Sequence, residues 1–122
     1  MKTIPEGLLD EVVRRLVDEF DPVRIYLFGS HAWGKPDEHS DIDLMVILAS
    51  SDDRPIDRMG RAQRCLRKIA ASKDILVRTL AEFERYMHLR ASLEYQVKQQ
   101  GVVLYGPGTD RIGFRVAAQG VA

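Results

Sequence analysis

Two aspartates separated by one residue, Asp41 and Asp43, stand at the start of the apolar run IDLMVILA, residues 42–49. Residues i and i+2 of a β-strand point to the same face, so the two carboxylates would lie side by side. Like charges at that separation repel each other unless cations lie between them, and their hard oxygen atoms suit Mg²⁺ or Mn²⁺. The pair therefore predicts a metal site.

The segment before this pair, GSHAWGKP over residues 29–36, nearly matches the phosphate-binding P-loop pattern G-x-x-x-x-G-K-[ST]. A P-loop needs a Ser or Thr hydroxyl directly after Lys35, at the start of a long helix. Pro36 occupies that position and has neither a hydroxyl nor an N–H group. We therefore reject the P-loop and expect residues 36–40 to form a turn.

A different phosphate site is predicted at Gly29 and Ser30, which directly follow the strand-like run VRIYLF, residues 23–28. Glycine lets the backbone approach a phosphate closely, and Ser30 adds a hydroxyl at a predicted helix N-terminus. This site would face the carboxylate pair at Asp41 and Asp43.

A centre that binds two metal ions needs a third ligand, and Asp74 begins the strand-like run DILVRT, residues 74–79. If this strand pairs with the strand that follows Asp41, the side chain of Asp74 can share the face of the other two carboxylates. Taken alone, Asp74 would be a turn residue between a helix and a strand. With the carboxylate pair beside it, we favour the metal site.

Strands and helices alternate along the chain, which predicts an α/β (α+β) fold with helices flanking a small mixed sheet. Thr3 and Glu6 have capping-box spacing before the first helix. We predict helices over residues 5–20, from Pro55 onward and within 80–100, the last broken near 86–91, and strands over 23–28, 42–49, 74–79 and 102–105. Residues 1–106 would form one domain, and residues 107–122 a poorly ordered tail.

The predicted helix after Pro55 has an apolar and a basic face. Its apolar stripe comprises Ile56, Met59, Ala62, Leu66, Ile69 and Ala70. Its other face carries Arg54, Arg58, Arg61, Arg64 and Lys68. This basic face could dock an acidic partner, but we favour a solvated helix face.

Composition excludes several classes of protein. The 122 residues include 18 Lys and Arg and 18 Asp and Glu, so we expect no direct binding of nucleic acid driven by net charge. No apolar run approaches the roughly 20 residues of a membrane span, and the N-terminus is unlike a signal peptide, so we expect a cytoplasmic protein. The single cysteine, Cys65, is interpreted as a packing residue.

The pattern F-G-S-x-A-x-G-x-x-x-x-x-S-D-I-D-L over residues 28–44 resembles the minimal nucleotidyltransferases of the DNA polymerase β superfamily. The resemblance implies that Asp41 and Asp43 bind two Mg²⁺ ions, with Mn²⁺ as an alternative. It further implies that Asp74 orients the metal of the attacking hydroxyl, and that ATP is the substrate. The nucleotide-binding residues would be Gly29, Ser30, Ser40 and Lys35.

Stand-alone chains of this length resemble the antitoxins of toxin–antitoxin systems whose toxin is a HEPN ribonuclease. The resemblance implies transfer of AMP from ATP to a tyrosine hydroxyl of that toxin, in a hetero-oligomer. Two alternatives remain open: an antitoxin that acts by binding alone, and a small-molecule nucleotidyltransferase of the aminoglycoside type that a second subunit completes.

Two positions depart from the family's pattern. Many relatives have arginine in place of Trp33 and a basic residue or tyrosine in place of His31, so Lys35 or Arg78 would have to support the triphosphate. We expect Trp33 to pack against the domain rather than to stack on a base. His31, His39 and His88 lack metal-ligand spacing and are interpreted as ordinary polar residues.

Overall fold

The computed structural model describes residues 7–34 and 41–106. In chain order the elements are α1 (Leu8–Phe20), β1 (Arg24–Phe28), α2 (Ser30–Trp33), β2 (Ile42–Leu48), α3 (Pro55–Cys65), β3 (Lys73–Thr79), α4 (Leu80–Tyr86), α5 (Leu93–Gln100) and β4 (Val102–Tyr105). The predicted strands and the break between α4 and α5 are confirmed. The predicted Thr3–Glu6 capping box and the predicted tail lie outside the described residues.

The sheet has the strand order β3-β2-β1-β4. β2 and β3 run parallel, whereas β1 is antiparallel to both β2 and β4. The sheet is therefore mixed, as predicted. β1 and β2 occupy the two inner positions, which explains why both are apolar at nearly every residue: each is covered on both faces.

Alternating residues of β2 divide the core into two layers. Leu44 and Val46 pack with Leu16 of α1 and with Ala62 of α3. Met45 and Ile47 pack on the opposite face with Phe83 of α4 and Val97 of α5. Because side chains alternate along a strand, Asp43 belongs to the face of Met45, where α4 and α5 lie.

Helix α3 departs from the predicted pattern. Ile56 is 69% exposed, Ala70 is exposed, and the helix ends at Cys65, before Lys68. The buried side of the helix instead contains Ala62 and Arg58, whose relative exposure is 3%. Hydropathy alone placed Ile56 inside and Arg58 outside, and tertiary contacts reverse this order.

The contacts of Arg58 supply the physical reason. Its Nη1 donates to the Val77 carbonyl at 3.1 Å and to Glu82 Oε1 at 2.9 Å, and its Nη2 donates to Glu82 Oε2 at 2.9 Å. A buried guanidinium is tolerated when it is paired and hydrogen-bonded in this way. Arg58 therefore joins α3 to β3 and α4.

The proposed basic face is neutralised within the chain at most of its positions. Besides Arg58, Arg61 pairs with Glu19 at 2.9 Å and Asp53 at 2.7 Å. Arg54 pairs with Asp57 at 2.9 Å. The prediction of a solvated position is therefore wrong for Arg58, whereas Arg54, Arg64 and Lys68 are exposed. The docking of an acidic partner on this face stays a prediction.

Two further predictions concern Cys65 and membrane association. Cys65 is half-buried, its Sγ donates to the Ala62 carbonyl at 3.3 Å, and burial raises the pKa of the thiol. These properties agree with a packing residue. In the part of the chain that the structure describes, no helix has the length and apolar character to cross a membrane.

Candidate active site

The candidate site lies where β1 ends and where β2 and β3 begin. In the sheet register, Asp43 of β2 stands between Phe28 of β1 and Asp74 of β3. Residues in matched register on neighbouring strands point to the same face. The structure thus brings Asp74 beside Asp43, as the predicted pairing of the two strands required.

Gly29 contacts Asp43 so closely that only glycine fits. Its φ angle is +77°, and a Cβ atom built on it would collide with Asp43 Oδ2. An L-residue would therefore suffer both backbone strain and a clash with the carboxylate. The sequence had indicated close approach to a phosphate at Gly29, and the structure shows that the glycine also makes room for Asp43.

Electrostatics join the three carboxylates into one group. The pKa of Asp43 is raised, first because the half-buried carboxyl is desolvated, and then because Asp74 and Asp41 repel its charge. His31 acts in the opposite sense and lowers the pKa of Asp43. Asp41 and Asp74 are exposed, so the group is open to solvent. Among the described residues, the site is therefore a cluster of acidic groups that only His31 partly offsets, and excess negative charge is the electrostatic character of a cation site.

Helix α2 follows Gly29 directly, and Ser30 is its first residue, as predicted. The amide of Ala32 donates to the Gly29 carbonyl at 2.9 Å, and that of Gly34 to the Ser30 carbonyl at 3.1 Å. Trp33 packs against Phe28 with ring centroids 6.1 Å apart and is half-buried. The expectation that Trp33 packs against the domain is confirmed.

Of the two residues predicted to place positive charge near a triphosphate, Lys35 and Arg78, the structure describes only Arg78. Lys35, Ser40 and His39 lie outside the described residues. Arg78 donates from Nε to Glu94 Oε2 at 3.2 Å, and Glu94 is 8% exposed. Arg78 is four residues beyond Asp74 on β3, towards the other end of the sheet, and is already engaged by a carboxylate.

Three structural features are not predicted by the sequence. The interpretation of His31 as an ordinary polar residue does not include its position near Asp43, where it lowers the pKa of that carboxyl. The burial of Arg58 and Glu94 was also missed. A signal existed for His31, since it directly follows Gly29 and Ser30, whereas the partners of the other two are set by elements far away in the chain.

The arrangement of the acidic side chains bears on metal binding. Within residues 7–34 and 41–106, no three His, Cys, Asp or Glu side chains are grouped closely enough to hold a metal ion as they stand. Mutual repulsion keeps carboxylates apart when no cation offsets their charges. Metal binding at this centre would require the side chains to turn towards one another.

Sequence comparison identifies the class of protein. The family model described as "Polymerase beta, Nucleotidyltransferase" matches residues 10–110, and the chain belongs to this nucleotidyltransferase family. The resemblance found from the FGS and SDID motifs is thereby confirmed. Over 54 residues, the chain is also 43% identical to a Methanocaldococcus jannaschii protein named as a candidate protein adenylyltransferase. That match spans 43% of this chain and 37% of the relative's length.

Solved structures share the fold over most of the chain. A nucleotidyltransferase-like protein from Sulfolobus solfataricus superposes with a TM-score of 0.58 and 24% identity, covering 82% of this chain and 78% of the other, and shows likeness of fold. A chain from a toxin–antitoxin complex with AMP-PNP gives a TM-score of 0.59 and 28% identity, covering 91% and 83%. A chain from a tri-AMPylated Shewanella oneidensis HEPN toxin in complex with MNT antitoxin gives 0.53 and 26%, covering 93% and 82%.

Proposed function

We propose that this chain transfers AMP from ATP to a hydroxyl group of a HEPN-type toxin, most simply a tyrosine, and thereby acts as its antitoxin. The observation that carries the proposal is the matched register of Asp43 and Asp74, with Gly29 against the Asp43 carboxylate. The family of the chain and the AMP-PNP and AMPylated complexes of its structural relatives support the choice of nucleotide and partner.

The donor set fits a hard divalent cation. Three aspartates supply only oxygen ligands, and the pKa of Asp43 is raised by burial of its carboxyl and, after that, by the negative charges of Asp74 and Asp41, which a cation would offset. We therefore assign Asp41, Asp43 and Asp74 as the residues that would hold Mg²⁺, or Mn²⁺ in its place. When bound, the metal would offset the charge of the triphosphate and make the acceptor hydroxyl easier to deprotonate.

The residues of the chain would divide the work of binding and orientation. Gly29 and Ser30 would bind the triphosphate through backbone groups and the serine hydroxyl. Ser40 and Lys35 are proposed to assist them. Asp74 would orient the acceptor hydroxyl and accept its proton during in-line attack on the α-phosphorus, so that the new P–O ester forms as the bond to the β-phosphate oxygen breaks and pyrophosphate leaves.

The experiment uses the purified chain, Mg²⁺ and a co-expressed HEPN-type protein as partner, with ATP labelled either at the α- or at the γ-phosphate. We expect the α-label alone to become attached to the partner, because AMP rather than phosphate is transferred. Asp41→Asn and Asp43→Asn should abolish labelling. Asp52→Asn, at an exposed position in the β2–α3 connection, is the matched control and should label normally.

The same variants distinguish the alternatives. If Asp43→Asn still neutralises the toxin in cells, the chain acts by binding and catalysis is not needed. If the partner stays unlabelled but α-label appears on an aminoglycoside, the acceptor is a small molecule. Transfer of γ-label to the partner would overturn AMP transfer altogether.

A further inference from the structure

At the start of β3, like charges on two neighbouring strands face each other. β3 is an outer strand, and its second residue, Asp74, lies in register with Asp43. Like charges in directly opposite cross-strand positions destabilise the pairing of two strands. An outer strand is held by one neighbour only, so its end can separate unless other contacts hold it.

Those contacts come from the side chain next to Asp74. The ammonium of Lys73 donates to the Ile69 carbonyl at 2.9 Å and to the Ala71 carbonyl at 2.7 Å. Hydrogen bonds from a charged donor are roughly twice as strong as those between neutral groups. Lys73 thereby ties the first residue of β3 to the connection that leads from α3 into the strand.

The same connection also holds the start of β2. The amide of Ile42, the residue before Asp43, donates to the Ser72 carbonyl at 3.0 Å. Ile42 and Lys73 are themselves partners in the sheet register. One short segment, residues 69–73, therefore contacts both strand ends that carry the facing carboxylates.

Lys73 acts on the carboxylates through the backbone. Consecutive residues of a strand point to opposite faces, so the ammonium of Lys73 and the carboxylate of Asp74 leave β3 on different sides. In the part of the chain that the structure describes, Lys73 has no carboxylate oxygen within 4.0 Å, the limit for an ion pair. Its hydrogen bonds are to the two carbonyls already named.

We propose that Lys73 is a positioning residue: by holding residues 69–72 in place, it keeps the start of β3 against β2 and Asp74 beside Asp43. The proposal rests on the function proposed above, in which Asp74 orients the acceptor hydroxyl. Since Lys73 does not touch the Gly29–Ser30 segment assigned to ATP, its loss should lower kcat and leave the KM for ATP nearly unchanged.

The test compares Lys73→Met with Lys68→Met. Both substitutions remove one positive charge, but Lys68 is exposed and makes no hydrogen bond or ion pair with described residues. Its φ angle of 74° is equally unfavourable for lysine and methionine, so the control adds no new backbone strain. Thermal unfolding is measured first, and Lys73→Gln replaces Lys73→Met if the latter is unfolded at the assay temperature.

Two readouts are then compared. Amide hydrogen exchange of the chain without nucleotide should accelerate at residues 42–43 and 73–75 in Lys73→Met alone. The kcat for AMP transfer should fall about tenfold to a hundredfold, the effect of roughly 1 Å of misplacement, with the KM for ATP within about twofold of wild type. Lys73→Arg, which keeps a charged donor, should recover much of the rate.

The outcomes separate this proposal from the proposed function. Equal kcat and equal exchange in Lys73→Met and Lys68→Met would overturn the positioning role, as would faster exchange with unchanged kcat, or a lower kcat with unchanged exchange. If wild type itself transfers no AMP, the proposed function fails. The exchange data would then still decide whether Lys73 holds the two strand ends.

Discussion

Like charges lie together at one end of the sheet, whereas opposite charges are paired at the other end. Where β2 and β3 begin, Asp43 and Asp74 stand in register with Asp41 nearby, and the pKa of Asp43 is raised by burial and by repulsion from the other two carboxylates. Where β3 ends, Arg58 pairs with Glu82, which lowers the pKa of that carboxyl to about 2. We call these regions the acidic end and the paired end.

The comparison shows which charged groups stabilise the fold and which destabilise it. At the paired end, Arg78–Glu94 on one face and Arg61–Asp53 on the other add to Arg58–Glu82. At the acidic end, repulsion costs folding free energy and leaves a centre whose charge a ligand could offset. Local strain that the rest of the fold sustains is typical of functional sites.

The largest expected effect is the loss of activity in Asp43→Asn. The cation site would lose a charged ligand worth several kcal/mol, so AMP transfer should fall at least about a thousandfold. The free energy of unfolding at pH 7 should stay equal or rise, because a repelled carboxylate is removed. Steady-state transfer assays and urea unfolding measure the two effects. A variant that loses stability and keeps its rate would contradict the contrast between the two ends.

Gly29→Ala should have the next largest effect. The new methyl group would displace the Asp43 carboxylate, and we expect AMP transfer to fall about a hundredfold. Gly7→Ala is the matched control, since Gly7 also has a positive φ angle, +84°, but no atom of the described residues lies within 4 Å of the added Cβ. Gly7→Ala should lose about 1 kcal/mol of stability through backbone strain and keep wild-type activity, whereas Gly29→Ala should lose more because the clash with Asp43 adds to the strain. Equal rates in the two variants would rule out the clash with Asp43.

Arg58→Met should show the reverse of Asp43→Asn. We expect lower stability and little change in the rate of AMP transfer. The substitution leaves Glu82 and the Val77 carbonyl without their donor, and we expect a loss of about 2–3 kcal/mol, reduced from the value of a fully buried pair because Glu82 is partly exposed. Arg54→Met, which breaks the exposed pair with Asp57, should cost at most about 0.5 kcal/mol. Chemical denaturation measures both, and kcat per folded molecule should remain near wild type.

Lowering the pH should destabilise the fold through the paired end, where Glu82 becomes protonated. The pKa of Glu82 is about 2 in the fold against an ordinary 4.5, so its stabilisation is complete above pH 4.5 and is lost as pH falls towards 2. After allowance for solvent screening this is about 1 kcal/mol. Glu82→Gln should therefore be less stable than wild type at pH 7 and should converge with it by pH 2–3. Denaturation midpoints across this range test the sign, and parallel curves would contradict it.

Asp43 gives the opposite slope within the same titration. Its pKa is raised, so its contribution is favourable below the ordinary value and is lost as pH rises through the higher value in the fold. The difference between Asp43→Asn and wild type should accordingly shrink as pH falls. Glu82→Gln and Asp43→Asn, measured over the same pH range, thus report separately on the paired end and on the acidic end.

Much of the fold could be predicted because it depends on local patterns. Nearly continuous apolar runs mark β1 and β2, and the break between α4 and α5 follows from the loss of helical periodicity near Tyr86. The shared face of Asp43 and Asp74 required one further assumption, the pairing of β2 with β3, which the register confirms. The catalytic roles of these residues remain predictions.

The errors have a common origin. Ile56 was assigned to the core and Arg58 to solvent because hydropathy ranks them so, yet Arg58 is buried by acceptors on β3 and α4, 19 and 24 residues away in the chain. The contacts of Lys73 could not be predicted because nothing in the sequence marks the carbonyls that it binds. Both cases depend on where distant or irregular backbone comes to lie.

The sequence by itself determined the family, the order of strands and helices, and three aspartates able to share one face, because side-chain alternation and motif spacing are local properties of the chain. The tertiary structure decided that Gly29 packs on Asp43, that Arg58 is buried, and that Lys73 closes the turn before Asp74. Such contacts depend on distances between separate segments, and these are set only when the helices pack on the sheet.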